Sequence, residues 1–256
     1  TLFRSRLEVN DIRARILGGK IEGGLTADFP GGVKKSGSMS SVRLHANFTD
    51  IQFQELRRAA KLLFHLEGAM DASVDLDFDM ILGQVMLKTV RTDLAIRDLR
   101  FQNYELPRFR ATVTFDFPNR QLRVENIDAQ AYNGLIVGAF VMNLSEGFKS
   151  FTYRADVMVE DVELDGIKRI PEVNIAMRGT MSAWLKIAGG SAQPLEKLSG
   201  RVSVTPLVVD FRILEMTVDE FFSEIEYNRD VGSLELRALD AKAYDGRLRG
   251  MVKYKH

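Results

Sequence analysis

The 256 residues carry 35 lysines and arginines against 35 aspartates and glutamates, so the formal net charge is zero; 45% are hydrophobic and 27% charged. That balance is a folded globular chain without the basic excess that marks a nucleic-acid partner. The absence of cysteine excludes disulfides, thiolate metal sites and cysteine nucleophiles, and fits an oxidising compartment where stray thiols are avoided.

No stretch of about 18 apolar residues reads as a spanning helix. Leu2 to Val9 is patterned, not a leader, so any anchor or export signal is expected outside this segment. Leu7 and Val9 begin a period-two alternation that dominates the chain. Pro30–Ser41, rich in Gly and Ser, reads as an exposed loop or linker. Gln54–Leu66 predicts a helix with its apolar stripe at Leu56, Ala59, Ala60, Leu63 and Leu66, stopped by Gly68. From Ala72 to Met80, Val74, Leu76 and Phe78 oppose Ser73, Asp75, Asp77 and Asp79, a half-buried strand. Leu94 with Ile96 and Leu122 with Val124 are shorter examples. In Phe109–Phe117, Phe109, Ala111, Val113, Phe115 and Phe117 oppose Arg110, Thr112, Thr114 and Asp116. In Phe151–Val159, Tyr153, Ala155 and Val157 oppose Thr152, Arg154 and Asp156. Leu185 with Ile187, Val202 with Val204, and Leu234 with Leu236 complete the series. Thr217–Ile225 predicts a second short helix. Asn133-Gly134 and Asp245-Gly246 are tight-turn signals. The fold class is mainly β, in antiparallel hairpins and meanders with one or two short helices.

Three segments resemble one another: Leu7–Gly23, Leu122–Gly138 and Leu234–Gly250. Each has alternating apolar residues, an apolar-x-Ala step, a Gly turn and a return strand closing on a second Gly. The closing glycines are 115 (23 to 138) and 112 (138 to 250) residues apart. Asp50-Ile-Gln-Phe and Leu66-Glu-Gly68 match Asp161-Val-Glu-Leu and Met177-Arg-Gly179 more weakly. The expected organisation is residues 1–29 as the end of a preceding repeat, a loop at 30–41, and repeat units at 42–142 and 143–256. Stacked repeats of about 110 residues give an elongated architecture; two separate sandwich domains are the alternative.

Catalytic and metal patterns are missing. His45 alternates in a strand, His65 ends the helix and His256 is terminal, without metal-ligand spacing. There is no Gly-x-Ser-x-Gly elbow. Gly32–Gly37 has the composition of a phosphate loop in the wrong order. Asp75, Asp77 and Asp79 lack the Gly and Glu of a calcium loop, having Met80 and Met86 there, and are expected on the solvent face near Arg91 or Arg97. Nothing singles out a glycosidase carboxylate pair. Trp184, opposite in parity to Leu185 and Ile187, is an exterior or interface residue. No metal, no cofactor and no enzymatic activity are expected.

The Ala-x-x-Tyr-Asp-Gly-x-x-x-Gly hairpin resembles the repeat signature of the AsmA family of Gram-negative envelope proteins, related to TamB and the bridge-like lipid-transfer proteins. Leu99–Ala111 and Met177–Gly189 are similar to its flanking strands. The likeness runs from Leu7 to Tyr254, carried by short motifs of common residues. It implies an elongated, strongly curved antiparallel sheet, a trough or half-pipe with an apolar concave face. It also implies a periplasmic location, tethered to the inner membrane by an anchor helix outside this segment, and transport of phospholipid between inner and outer membrane. The anchor is missing here, and Pro30–Ser41 is not part of the pattern. Phospholipid acyl chains would contact Val74, Leu76, Phe78, Leu94, Ile96, Phe109, Val113, Phe115, Phe117, Leu122, Val124, Tyr153, Val157, Leu185, Ile187, Val202, Val204, Leu234 and Leu236. Envelope proteins at either end of the parent chain are possible partners. The alternative is a structural or interaction scaffold of the envelope with a self-packed β core; periodicity leaves open groove and closed core both standing.

Overall fold

Each alternating segment of the sequence becomes a strand paired with the next. The computed structural model describes residues 5–29, 40–61, 66–81, 84–101, 104–145, 149–166, 176–210 and 215–255, in two compact units, Thr1–Asn126 and Ile127–His256. The first holds β1 (Ser5–Ile16), β2 (Gly19–Phe29), β3 (Ser40–Gln52), helix α1 (Phe53–Ala60), β4 (Leu66–Ile81), β5 (Gln84–Phe101) and β6 (Tyr104–Asp116). Strand β7 (Gln121–Ala131) contains the division. The second unit continues with β8 (Gly134–Leu144), β9 (Phe151–Glu163), a 3-10 turn (Leu164–Gly166), β10 (Ala176–Gly190) and β11 (Lys197–Asp210). It ends with β12 (Glu215–Val218), β13 (Glu220–Asn228), β14 (Ser233–Ala243) and β15 (Gly246–Lys255). Among the described residues the strands form one open antiparallel sheet in chain order, with β12 off the path against β11. No helix there is long and apolar enough to cross a membrane.

A single backbone device recurs along the strands. Asp11, Asp50, Asn126, Asp161 and Ala238 all have φ between 49° and 60°, the left-handed region. Register slips beside four of them: between Val9 and Ile12, Phe48 and Ile51, Val159 and Val162, and Leu236 and Leu239. These are β-bulges, and each shifts the strand's parity by one. Val9 and Ile12, or Leu236 and Leu239, therefore stay on one face although they are three apart in sequence. In the first and third similar segments the apolar-x-Ala step, Ile12-Arg13-Ala14 and Leu239-Asp240-Ala241, follows directly on this parity change. Gly68 (φ 117°) and Gly179 (φ 130°) mark further irregularities in β4 and β10; at Gly179 a Cβ would fall 1.7 Å from Pro206 O.

Several local expectations are corrected. The helix covers Phe53–Ala60, not Gln54–Leu66: Lys61 caps it in the left-handed region at φ 52°, and Leu66 already belongs to β4. Leu63 and His65 lie outside the described residues, as do Pro30–Met39 and His256. Ser40 and Ser41 begin β3 instead of ending a loop. Thr217–Ile225 is strand, not helix, because Phe221, Ile225 and Tyr227 alternate with Phe222, Glu224 and Glu226. The tight turns fall one residue early, at Tyr132-Asn133 and Tyr244-Asp245; Gly134 and Gly246 open the return strands. Phe117 lies just past β6 in a turn, where the Asp116 carboxylate accepts from the Asn119 amide (3.0 Å) and side chain (2.8 Å).

Candidate functional site

In the first unit, register brings apolar side chains into rows across strands. Val9 is opposite Leu25, Leu25 opposite Leu44, Leu44 opposite Leu76, Leu76 opposite Val90, and Val90 opposite Phe115. Parallel rows join Val42 to Phe78, Ala46 to Val74, Ala72 to Leu94 and Ala111, and Ile96 to Phe109. Successive side chains alternate across the sheet, so these residues share one face. The face is not sealed: Leu25, Leu44, Val74, Leu76, Phe78, Val90, Leu94, Ile96, Phe109, Val113, Phe115 and Phe117 are all half-buried. Phe115 and Phe117 meet edge to face, centroids 4.4 Å apart. The fully buried apolar residues of this unit are mostly small or sit by α1: Ala27, Val42, Ile51, Phe53, Ala72 and Ala111. Helix α1, eight residues long, is the only helix among the described residues of the unit, too short to cover a row that crosses six strands.

The opposite face carries charge. Asp75 pairs with His45 (2.7 Å), Asp77 with Arg43 (3.3 Å) and Asp79 with Lys88 (3.1 Å). Of the expected basic neighbours, Arg91 is directly opposite Asp75 in register, its guanidinium also 3.8 Å from Asp93, whereas Arg97 turns to Asp50 and Asp71. Asp79 is an exception to the solvent-face expectation: it is buried, and its Oδ1 has no hydrogen-bond partner.

The second unit repeats the division of faces. Gly138 is opposite Val157, which faces Leu185, then Gly200, Ile225, Leu236 and Val252. A second row runs Phe140, Ala155, Ile187, Leu198, Tyr227, Leu234 and Tyr254. Tyr153 stacks on Phe140 at 5.8 Å. Of the expected lipid contacts here, Tyr153, Val157, Leu185, Ile187, Val202 and Leu236 are half-buried, Leu234 is exposed and Val204 is buried. A small core of Val159, Val162 and Ala183 forms at one end of the face. Leu122 and Val124, in β7, are half-buried as well. Two further members of these rows are Ile225, which lies in the stretch expected as helix, and Tyr227, just beyond it. Leu25, Leu44 and Val90 also join the rows, Leu44 within the period-two run Val42-Leu44-Ala46-Phe48.

Trp184 lies on the polar face, as its parity requires. It is 42% exposed, its Nε1 donates to Asp156 Oδ1 at 2.7 Å, and Lys186 Nζ sits 4.7 Å from the ring centre. Near it a depression of about 340 Å³ is lined by Ala139, Val141, Arg154, Lys186, Ala188 and Lys197, among others. Farther along, Glu235 sits among basic groups: a hydrogen bond from Lys253, then one from Arg237, holds its carboxyl below the usual value. Arg247, in bidentate contact at 2.6 and 2.7 Å, does the same for Asp240. These pairs sit on the face opposite the apolar rows and bind strands together. Among the described residues no cluster of three or more His, Asp or Glu side chains is placed to hold a metal ion. Comparison with protein-family models, curated proteins and solved structures finds no match for this chain.

Proposed function

We propose that the apolar faces are acyl-chain surfaces, and that the chain is a non-catalytic, lipid-handling segment of an AsmA-like protein of the Gram-negative envelope. In this reading it lies in the periplasm, tethered through a part outside these residues, and carries phospholipid between the two membranes. The sheet bends into a trough built of units of about 110 residues, so that each unit extends the apolar track. One observation carries the reading: the row from Val9 to Phe115 is made of large apolar side chains left half-buried or exposed. In a packed interior such residues are buried on all sides. Covering what remains of each is worth roughly 1 kcal/mol, and a lipid tail gains about 0.8 kcal/mol per methylene. The recurrence of element order supports the repeat: β1, β2, β3, helix, β4 in the first unit and β7, β8, β9, 3-10 turn, β10 leading through the second.

A self-packed envelope scaffold is favoured only locally, by the buried cluster around Val159 and by buried Val204. Leu76→Asp and Phe115→Asp separate the two readings. On a lipid surface they abolish uptake of a fluorescent phospholipid while circular dichroism and thermal unfolding stay near wild type. If instead they unfold the chain, those positions are closed core.

A further inference from the structure

The face opposite the apolar rows keeps most of its cations beside carboxylates of the next strand. Arg43 meets Asp77, Arg201 meets Glu224, Arg237 meets Glu226 and Arg247 meets Asp240. At one place in the second unit this pattern stops. Arg154 of β9 is opposite Val141 on β8 and Ala188 on β10, and Ala188 is in turn opposite Lys197 on β11. Apolar side chains stand on both sides of Arg154 where carboxylates would pair with it. Among the described residues Arg154 makes no ion pair and no side-chain hydrogen bond.

The neighbouring row is Ala139, Asp156, Lys186 and Ser199. Short side chains at Ala139, Ala188 and Ser199 thus lie among the long ones of Arg154, Lys186 and Lys197, and this difference in length makes the depression of about 340 Å³. Its floor residues Ala139, Val141 and Ala188 are half-buried, whereas the three cations are exposed around it. One carboxylate lines it, Asp156, and that group is already engaged. Its Oδ1 accepts from Trp184 Nε1 at 2.7 Å, and its Oδ2 lies 3.9 Å from Lys186 Nζ. Lys197 has only Asp230, 4.0 Å away and outside the depression. Three cations against one carboxylate leave an excess of positive charge above an apolar floor. Water solvates the cations but gains nothing from the floor; a ligand with an anionic end and a short apolar body satisfies both.

We propose that this depression binds a small amphiphilic anion, an organic phosphate monoester with a short apolar body. The phosphate carries close to two negative charges at neutral pH, which matches the local excess. Arg154 offers it a bidentate fork, and Lys186 and Lys197 act as point charges beside it. The body covers Ala139, Val141 and Ala188. The volume is at the small end of ligand sites, so the ligand is smaller than a two-chain phospholipid. The site lies on the face opposite the apolar rows and stands independently of their proposed role.

Trp184 is the only tryptophan, and Lys186 Nζ sits 4.7 Å from its ring centre. Movement of Lys186 toward an anion is therefore read in the intrinsic fluorescence. The test titrates hexyl phosphate, below its micelle concentration, into the full chain, with inorganic phosphate and hexanol as its separate halves. Calorimetry follows the same titrations, so that binding silent to Trp184 is still detected. One hexyl phosphate per chain is expected to bind, at concentrations where neither half does. Arg154→Gln is expected to weaken it at least about tenfold with thermal unfolding near wild type, since Arg154 is exposed and unpaired. Ala188→Leu, which fills the floor, weakens it similarly; if that variant unfolds, Arg154→Gln alone decides. Absence of binding in both measurements overturns the proposal. Binding indifferent to Arg154→Gln overturns it too, placing the ligand elsewhere, on the apolar face for instance. Inorganic phosphate binding as well as the ester also overturns it, leaving an adventitious ion only.

Discussion

The backbone amide of Asp161 donates to Ser182 Oγ at 3.1 Å, and the Ser182 hydroxyl lies 3.2 Å from Asp161 Oδ1. Ser182 is the residue opposite the β9 bulge, between the pairs Val159–Ala183 and Val162–Met181. In the first unit, the Asp50 amide donates to Asp71 Oδ1 at 2.8 Å across the β3 bulge. A bulge removes one amide from the ladder, and in both units the residue across from it supplies the missing acceptor.

Removing that acceptor therefore weakens the sheet without touching the apolar face. Ser182→Ala and Asp71→Ala are each expected to cost roughly 1 kcal/mol in urea unfolding. Asp161→Val, which forces a β-branched residue into the left-handed region, is expected to cost about 2–3 kcal/mol. Equal effects from all three would contradict the bulge account.

Ala238 holds the same conformation at φ 49° with no polar side chain to favour it. Ala238→Gly relieves about 1–2 kcal/mol of local strain and loses about 0.4–1 kcal/mol to unfolded-chain entropy. The net expectation is a gain of about 0.5 kcal/mol, visible as a raised melting temperature. A lowered melting temperature counts against it.

The strands were legible in the sequence because a sheet with one apolar face imposes period two, and Val74-Leu76-Phe78 or Val113-Phe115 cannot satisfy another period. What blurred the reading was the bulge, which breaks parity within a strand. Val9-Asn10-Asp11-Ile12 reads as the end of a strand, yet β1 runs on to Ile16. Around Thr217–Ile225, acidic residues and adjacent Phe221-Phe222 imitate a helix start, and only pairing with β11 and β14 settles them as strand. The apolar rows were only partly legible, since which strands lie side by side is a matter of register, not of local pattern. The similar hairpins were visible as motifs, but the reason for their glycines is not local: it is the carbonyl of a strand some twenty residues later.

Those glycines differ in what a side chain there would meet. Gly23→Ala and Gly138→Ala, which would place Cβ atoms 2.3 Å from a backbone oxygen, are expected to destabilise by roughly 2–4 kcal/mol. Gly250→Ala meets no neighbour within 4 Å and is expected to stay within about 0.5 kcal/mol of wild type. Differential scanning calorimetry of the three variants checks the contrast.

The ion pairs of β14–β15 set a pH dependence. Lys253 and Arg237 lower the Glu235 value, and Arg247 lowers that of Asp240, from ordinary values of 4.5 and 3.8. A lowered folded value means the unfolded chain binds protons first, so the contribution is complete above those ordinary values and is lost as pH falls through the lower folded ones. Fraying of residues 246–255 on acidification below about pH 4, followed by amide exchange, is expected to exceed that of β4. Fraying that sets in with rising pH instead contradicts the assignment.

The central claim is that the apolar faces hold lipid. Native mass spectrometry of the gently purified chain, followed by solvent extraction and lipid analysis, tests it most directly. The account predicts co-purifying phospholipid that is absent from folded Leu76→Asp and Phe115→Asp variants. A lipid-free mass together with no uptake of added fluorescent phospholipid would contradict it and leave the self-packed scaffold.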